Sequence, residues 1–205
     1  MLYRLRSETK LSIIDLYIRP ITDEPITKVF PPERQAQIDS VKNENLRRQR
    51  YFVWKLLEHG IKQSLGLDFQ EINFSLDKSG KWSCDKCFFS LSHTENAVAV
   101  AISSKPVGVD IECCDRIISE KVSKKILIPS ELDEFARIPK IEQSQYLLQK
   151  WTAKECLFKV QNHKYFKPEL LNCENRVITN QISLNNKTYF YSVTAEKGDV
   201  LRINY

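Results

Sequence analysis

The stretch 97-AVAVAISSKPVGVDIE-112 decides the fold of this 205-residue chain. Its first part, residues 97–102, is apolar throughout, which is typical of a strand buried on both faces rather than of an edge strand. Lys105-Pro106 then marks a turn, and residues 107–112 have a second strand pattern. The sequence therefore predicts two successive strands, the first of them fully buried.

Two carboxylates share one face of the second strand. Alternation sends Gly108, Asp110 and Glu112 to one side and three apolar side chains to the other. Same-side neighbours lie about 6–7 Å apart, a span that a hard cation bound by both side chains can bridge. Judged alone, however, Asp110 and Glu112 are better explained as polar residues at the solvated end of a strand.

Long amphipathic helices are predicted on both sides of this stretch. Apolar side chains recur at every fourth position over residues 43–65, and residues 143–160 also have the pattern of a helix with one buried face. Residues 119–125 and 130–137 favour shorter helices, the second with Ser130 as its N-cap.

The remaining predicted elements are strands and loops. Strands are predicted at residues 11–18, 71–75, 88–91, 176–179, 187–194 and 200–204, and a polar loop at 78–87. The order strand, long helix, strands thus occurs twice. The predicted fold class is α+β, with two similar lobes forming a pseudo-dimer. Each lobe is a small, mainly antiparallel sheet packed with a long helix.

Composition limits the class of protein. With 42% hydrophobic and 28% charged residues, the chain can bury a core as a folded soluble protein. No apolar run approaches the roughly 20 residues that cross a bilayer, and no signal peptide is recognised, so we expect a cytoplasmic protein. The six cysteines are expected to be free thiols, and the net charge of +5 favours an anionic partner.

Two further patterns are ambiguous on their own. Trp151, Glu155 and Lys159 lie four residues apart and therefore share one helix face, which a buried Trp beside a surface Glu–Lys pair also explains. Ser92-His93 comes at the end of a predicted strand, where the hydroxyl and the imidazole can bind a phosphate. A hydrogen-bonded role at the surface is, however, the usual explanation of such a pair. Each pattern becomes informative only beside the others.

Together these segments resemble the 4′-phosphopantetheinyl transferases, in particular the larger monomeric type that activates surfactin synthetase. The family pattern of Ser-His, Gly-Val-Asp-Ile-Glu and Trp-x-x-Lys-Glu-x-x-x-Lys is found in order at residues 92–93, 108–112 and 151–159. The resemblance implies transfer of the 4′-phosphopantetheine group of coenzyme A to a serine of an apo acyl or peptidyl carrier protein. The leaving group would be 3′,5′-ADP.

The resemblance also implies roles for individual residues. Asp110, Glu112 and Glu155 would hold Mg²⁺, or Mn²⁺ in its place. Glu155 or a metal-bound water would be the base, and Lys159 would contact coenzyme A and stabilise the developing phosphate charge. Further contacts with coenzyme A would come from Arg34, Arg50, Lys81, Ser92 and His93.

The same resemblance implies two lobes within one continuous unit and the active site in the cleft between them. Residues 1–104 would contribute the coenzyme A contacts, and residues 105–205 the metal ligands and the catalytic helix. Since one chain contains both lobes, we expect a monomer. The sequence departs from the family pattern at Gln37, where some relatives have a basic residue, at Trp82, which replaces a proline, and at Cys156, which replaces Ala or Ser.

Three alternatives compete with this interpretation. The basic cluster Arg47, Arg48 and Arg50 could belong to a nucleic-acid-binding module, although neither a helix-turn-helix signature nor interleaved aromatics accompany it. A catalytically inactive member could bind carrier proteins, but the acidic triad is intact. Cys84-x-x-Cys87 could be part of a structural zinc site, but no second well-spaced pair exists. We therefore expect neither a nucleic acid nor a membrane as partner.

Overall fold

The computed structural model describes residues 12–78, 80–161 and 165–205. The strands are β1 (Ile13–Pro20), β2 (Phe74–Leu76), β3 (Trp82–Cys84), β4 (Phe88–Thr94), β5 (Ala97–Ser103), β6 (Val109–Cys113), β7 (Val177–Leu184), β8 (Lys187–Thr194) and β9 (Val200–Asn204). The helices are α1 (Pro32–Asp39), α2 (Glu44–Leu65), α3 (Ser123–Ile126), α4 (Pro129–Phe135) and α5 (Lys140–Val160). In these described parts of the chain, no helix combines the length and apolar character that crossing a membrane requires.

Each long helix packs on a small sheet. Helix α2 packs against a four-stranded sheet with the order β4-β5-β1-β9, in which only the β1–β9 pair is parallel. Helix α5 packs against the antiparallel sheet β6-β8-β7. This arrangement confirms the predicted α+β class and its two lobes. Strand β9 returns from the second half of the chain to pair in the first sheet, and the lobe boundary at residue 104 stays a prediction.

Strand β5 lies between two hydrophobic cores, which explains why its sequence is apolar throughout. Val98, Val100 and Ile102 face the core around α2, whereas its alanines face the core shared with β6 and β8. All seven residues of the strand are buried. The small alanine side chains let the second sheet lie close to the first.

The two sheets meet along β4 and β6, where serine side chains replace a backbone ladder. The N–H of Val109 donates to Ser90 Oγ at 3.0 Å, and the N–H of Ile111 donates to Ser92 Oγ at 3.2 Å. Both bonds satisfy donors on the free edge of β6 that would otherwise be buried without a partner. This junction brings Ser92 beside the carboxylate-bearing strand.

Two local predictions were wrong. The segment predicted as the polar loop 78–87 contains β3, which pairs with β2 because Trp82 is buried against Trp54, with ring centroids 5.2 Å apart. Ser130 is not the N-cap of α4, since the helix already begins at Pro129. Proline suits the first helical position because its missing N–H has no acceptor there in any helix.

Other boundaries differ by a few residues. Residues 71–75 divide between a 3₁₀ turn at Phe69–Glu71 and strand β2, and β7 extends to Leu184 rather than ending at residue 179. Part of the strand predicted at 11–18 lies outside the described residues, and β1 covers the rest. A separate short helix, α1, begins at Pro32 and precedes α2.

Candidate active site

A cleft of about 1000 Å³ opens between helices α1 and α2, the β3–β4 region and helix α5. Its lining brings together six residues that the sequence analysis proposed for the site: Arg34, Arg50, Lys81, His93, Glu155 and Lys159. Three other proposed residues, Ser92 on β4 and Asp110 and Glu112 on β6, are not part of this lining. The cleft wall therefore combines cations from the first half of the chain with acidic and basic groups of α5.

Arg34 and Arg50 form the strongly cationic end of the cleft. Arg34 is only 8% exposed; its guanidinium donates to the carbonyl of Arg50 at 2.8 Å and lies 5.0 Å from the centroid of the Trp54 ring. Burial, together with repulsion from Arg50, lowers the pKa of Arg34 to about 10. Within the described part of the chain, neither guanidinium reaches a carboxylate. This uncompensated charge makes the end of the cleft suited to an anion.

Lys81 links the first half of the chain to the end of α5. It follows a tight turn at Gly80, whose φ of +86° favours glycine. The Lys81 ammonium donates to the carbonyl of Lys159 at 2.8 Å. That carbonyl lies in the last turn of α5, where the helix dipole attracts a cation. Lys81 thus adds a further positive charge to the cleft wall.

His93 is a buried imidazole among these cations. Burial, and then the charges of Lys159, Arg34 and Arg50, lower the pKa of His93 to about 4. Its Nδ1 is buried without a hydrogen-bond partner in the described structure. A neutral ring with one unused nitrogen can bond to a ligand that enters the cleft.

We expect His93 to stay neutral in the folded protein down to about pH 4. In the unfolded chain the imidazole binds its proton at about pH 6.5, so unfolding takes up a proton at any pH between about 4 and about 6.5. The contribution of His93 to the free energy of unfolding is therefore lost as the pH falls through this window. Urea unfolding at several pH values should show a shallower acid decline for His93→Gln. NMR titration of the ring near pH 6.5 would contradict the prediction.

Asp110 is the most enclosed carboxylate of the site. It is 5% exposed, and its Oδ1 accepts from Ser92 Oγ at 2.7 Å and from Lys159 Nζ at 2.8 Å. Its Oδ2 is buried and has no hydrogen-bond partner in the described structure. Ser92 itself is buried, so it orients the Asp110 carboxylate instead of lining the cleft.

Lys159 connects helix α5 to strands β4 and β6, where the two sheets meet. Its ammonium donates to the carbonyl of Val109 at 2.9 Å and to that of Leu91 at 3.3 Å, in addition to Asp110. An ammonium has three donors, and all three are used within the protein. The strands β4 and β6 are therefore tied to α5 at the carboxylate itself.

Glu112 and Glu155, together with Asp110, form what we call the acidic cluster. Glu112 accepts from Arg116, which follows four residues later in the chain, while Glu155 lines the cleft. Burial raises the pKa of both carboxyls, and the charge of Asp110 raises each of them further. The three carboxylates thus share one electrostatic neighbourhood, which favours a cation among them.

Comparison with known proteins identifies the family of this chain. The sequence profile of the "4′-phosphopantetheinyl transferase superfamily" matches residues 106–200. The 4′-phosphopantetheinyl transferase Sfp of Bacillus subtilis (strain 168) is 31% identical over 157 residues, which cover 73% of this chain and 69% of that protein. The chain belongs to the 4′-phosphopantetheinyl transferase superfamily.

Further relatives agree with membership of this superfamily and with the Sfp type. A 4′-phosphopantetheinyl transferase of Bacillus subtilis is 24% identical over 148 residues, covering 67% of this chain and 66% of that protein. The transferase ffp of Bacillus subtilis is 26% identical over 149 residues, with the same coverage. These matches extend well beyond the short motifs around Asp110 and Glu155.

The donor groups of this superfamily member suit a hard divalent cation. The charge of Asp110 acts on both Glu112 and Glu155, and Asp110 has an orphaned buried oxygen, which is the kind of ligand that Mg²⁺ prefers. In residues 12–78, 80–161 and 165–205, no three His, Cys, Asp or Glu side chains stand around a common point as a metal site. The ammonium of Lys159 and the guanidinium of Arg116 supply the positive charge here.

Sequence reasoning missed some of the residues that build the site. Gln37 lines the cleft and accepts from Trp82 Nε1 at 3.0 Å and from Arg34 at 3.2 Å. Gln37 and Trp82 are two of the three departures from the superfamily pattern, and in the structure they bond to each other. Ser90 was also missed, although its spacing of two from Ser92 signals that both hydroxyls lie on one face.

Proposed function

We propose that this protein transfers the 4′-phosphopantetheine group of coenzyme A to a serine hydroxyl of an apo acyl or peptidyl carrier protein. The products are the holo carrier protein and 3′,5′-ADP. The observation that carries the proposal is a cleft in which Arg34 and Arg50, which no carboxylate of the described residues pairs, face space shared with Glu155. Sfp, a 4′-phosphopantetheinyl transferase by name, supports it through its similarity to this chain.

The nucleotide end of coenzyme A suits the cationic end of the cleft. It brings a 3′-phosphate and a pyrophosphate, which call for charge-assisted hydrogen bonds. Arg34, Arg50 and Lys81 provide donors for these groups, and His93 adds a neutral ring nitrogen. Ser92 acts indirectly in this proposal because its hydroxyl holds Asp110.

The acidic cluster acts where the phosphate of coenzyme A meets the serine hydroxyl of the carrier protein. Asp110, Glu112 and Glu155 would hold Mg²⁺ or Mn²⁺, which supplies charge stabilisation to the transferred phosphate when bound. Glu155 lines the cleft and is our candidate base for the carrier serine hydroxyl. As that oxygen bonds to the β-phosphorus, the bond from phosphorus to the 3′,5′-ADP oxygen breaks. Lys159 and Ser92 keep Asp110 in place during this exchange.

The protein is proposed to act as a monomer, because one chain provides both walls of the cleft. The competing nucleic-acid interpretation is less well supported, since the three arginines at the start of α2 do not form one common basic surface. Arg47 pairs with Glu44, and Arg48 donates to backbone carbonyls at Thr22 and Glu24. Of the three arginines, only Arg50 lines the cleft.

The transfer reaction is tested by its small-molecule product. We expect 3′,5′-ADP to be released only when coenzyme A, a divalent cation and an apo carrier protein are all present, as followed by chromatography. Release without the carrier would indicate hydrolysis of coenzyme A instead of transfer. A complete mixture that yields no 3′,5′-ADP would contradict the proposal.

Arg50→Ala should weaken binding of 3′,5′-ADP by about 10- to 150-fold, because it removes a charge-assisted hydrogen bond worth about 1.5–3 kcal/mol. Calorimetry at fixed salt measures this affinity. Arg48→Ala is the matched control: it lies two residues away on α2, outside the cleft lining. Equal losses of affinity for both variants would show that the overall positive charge of the protein causes the effect, and not a contact made by Arg50.

A further inference from the structure

Cys84 and Cys87 place two thiols in contact outside the cleft. Cys84 ends β3 and Cys87 comes directly before β4, and their sulfur atoms lie 3.6 Å apart. Both residues are free cysteines and half-buried, so small reagents can reach them. Sulfurs in contact need to approach each other by only about 1.5 Å to reach the length of a disulfide bond, about 2.05 Å.

The turn between the two cysteines is firmly held. The carboxylate of Asp85 accepts from the backbone N–H of Asn73 at 3.1 Å and from its side-chain amide at 2.9 Å. Strand pairing places Phe74 opposite Cys84. The sulfur contact is therefore a property of a fixed turn and not of a loose loop.

Cys84 differs in chemical character from the other half-buried cysteines, Cys87, Cys114 and Cys173, since the pKa of each of those three is raised. The hydrogen bond from Cys87 lowers the pKa of Cys84, and the same contact raises that of Cys87. In contrast, burial raises the pKa of Cys173 to about 11. The Cys84 sulfur also donates to the carbonyl of Cys87 at 3.3 Å, which holds it beside its neighbour. Two thiols in contact, one with a lowered pKa, are the arrangement of a nucleophile and its resolving partner.

We propose that Cys84 and Cys87 form a site of reversible oxidation, at which hydrogen peroxide converts the two thiols into an intramolecular disulfide. The Cys84 sulfur attacks peroxide, so that an S–O bond forms, the O–O bond breaks and one water leaves. The Cys87 sulfur then attacks the sulfenic sulfur, so that the S–S bond forms and a second water leaves. Two thiols lose two electrons and two protons, and one peroxide becomes two waters. This inference does not depend on the proposed transferase function.

The site lies beside the cleft wall. Trp82, on the same strand as Cys84, lines the cleft, as does Lys81 directly before it. Peptide mapping can locate the disulfide because Lys86 separates the two cysteines. Trypsin cuts after Lys86, so a Cys84–Cys87 bond would join the peptide 82–86 to the peptide that begins at residue 87.

The experiment treats the folded, reduced protein with hydrogen peroxide, blocks remaining thiols with N-ethylmaleimide in denaturant, and maps tryptic peptides without reductant. We expect the joined peptides to appear after peroxide and to disappear after dithiothreitol. They should be absent from Cys84→Ser and Cys87→Ser and retained in Cys173→Ser. Fragmentation distinguishes Cys87 from Cys113 and Cys114 in the second peptide.

Two results would overturn the proposal. One is folded wild-type protein in which no joined peptides form after peroxide, whatever the oxidation state of Cys173. The other is a disulfide that uses Cys113 or Cys114 in place of Cys87. Alkylation of the untreated wild type gives an independent measure that needs no variant: iodoacetamide at neutral pH should label Cys84 at least about tenfold faster than Cys173.

Discussion

Asp110→Asn is expected to lower the turnover of carrier modification at least about a hundredfold, since a charged ligand to a catalytic cation is worth several kcal/mol in the transition state. The substitution removes the charge but keeps an oxygen that can accept from Ser92 and Lys159. The fold should therefore survive. Initial rates of carrier modification, with circular dichroism as the test of folding, measure the effect.

The control for Asp110→Asn is Asp133→Asn, which neutralises an exposed carboxylate on α4. We expect wild-type turnover from this variant, because it lies outside the cleft lining and the acidic cluster. If Asp110→Asn also keeps full turnover with Mg²⁺, Asp110 is not a ligand of the catalytic cation.

Gly108→Ala is expected to cost about 3 kcal/mol or more of the free energy of unfolding. An added Cβ would lie 2.0 Å from the carbonyl oxygen of Cys156 and 2.9 Å from Val160 Cγ2. The carbonyl belongs to the backbone of α5 and cannot rotate away, so the helix must move from the strand. Because α5 carries Lys159 and Glu155, turnover should fall as well. Urea unfolding measures the loss of stability.

The matched control for this contact is Gly66→Ala. Gly66 has a φ of +72°, and nothing lies within 4 Å of a Cβ added there, so its replacement tests backbone strain alone and should cost about 1–2 kcal/mol. If Gly108→Ala is no more destabilising than Gly66→Ala, the close contact between β6 and α5 does not limit stability.

Strand and helix periodicity account for the parts of the site that the sequence could predict. Asp110 and Glu112 are neighbours because side chains alternate along any strand, and both lie in β6. Glu155 and Lys159 lie on one face of α5 because residues four apart do so in any helix. The apolar run at 97–102 predicts a doubly buried strand for a similar reason, since both of its faces need a hydrophobic partner.

The partners of these side chains could not be predicted, because they come from elements far apart in sequence. Lys159 uses its three donors on β4 and β6, a contact that depends on how the two sheets meet. Ser92 points toward Asp110 rather than into the cleft for the same reason. Gln37 and Trp82 each looked like separate departures from a pattern, and only the folded chain brings them together.

The most direct test of the account is the intact mass of an apo carrier protein after incubation with this protein, coenzyme A and Mg²⁺. The account predicts a gain of one phosphopantetheine per carrier, and no gain when the acceptor serine is replaced by alanine or when coenzyme A is omitted. Several apo carriers of both acyl and peptidyl type should be weighed. Unchanged masses for all of them, in samples where the protein binds coenzyme A, would contradict the assignment of this cleft as a phosphopantetheinyl transferase site.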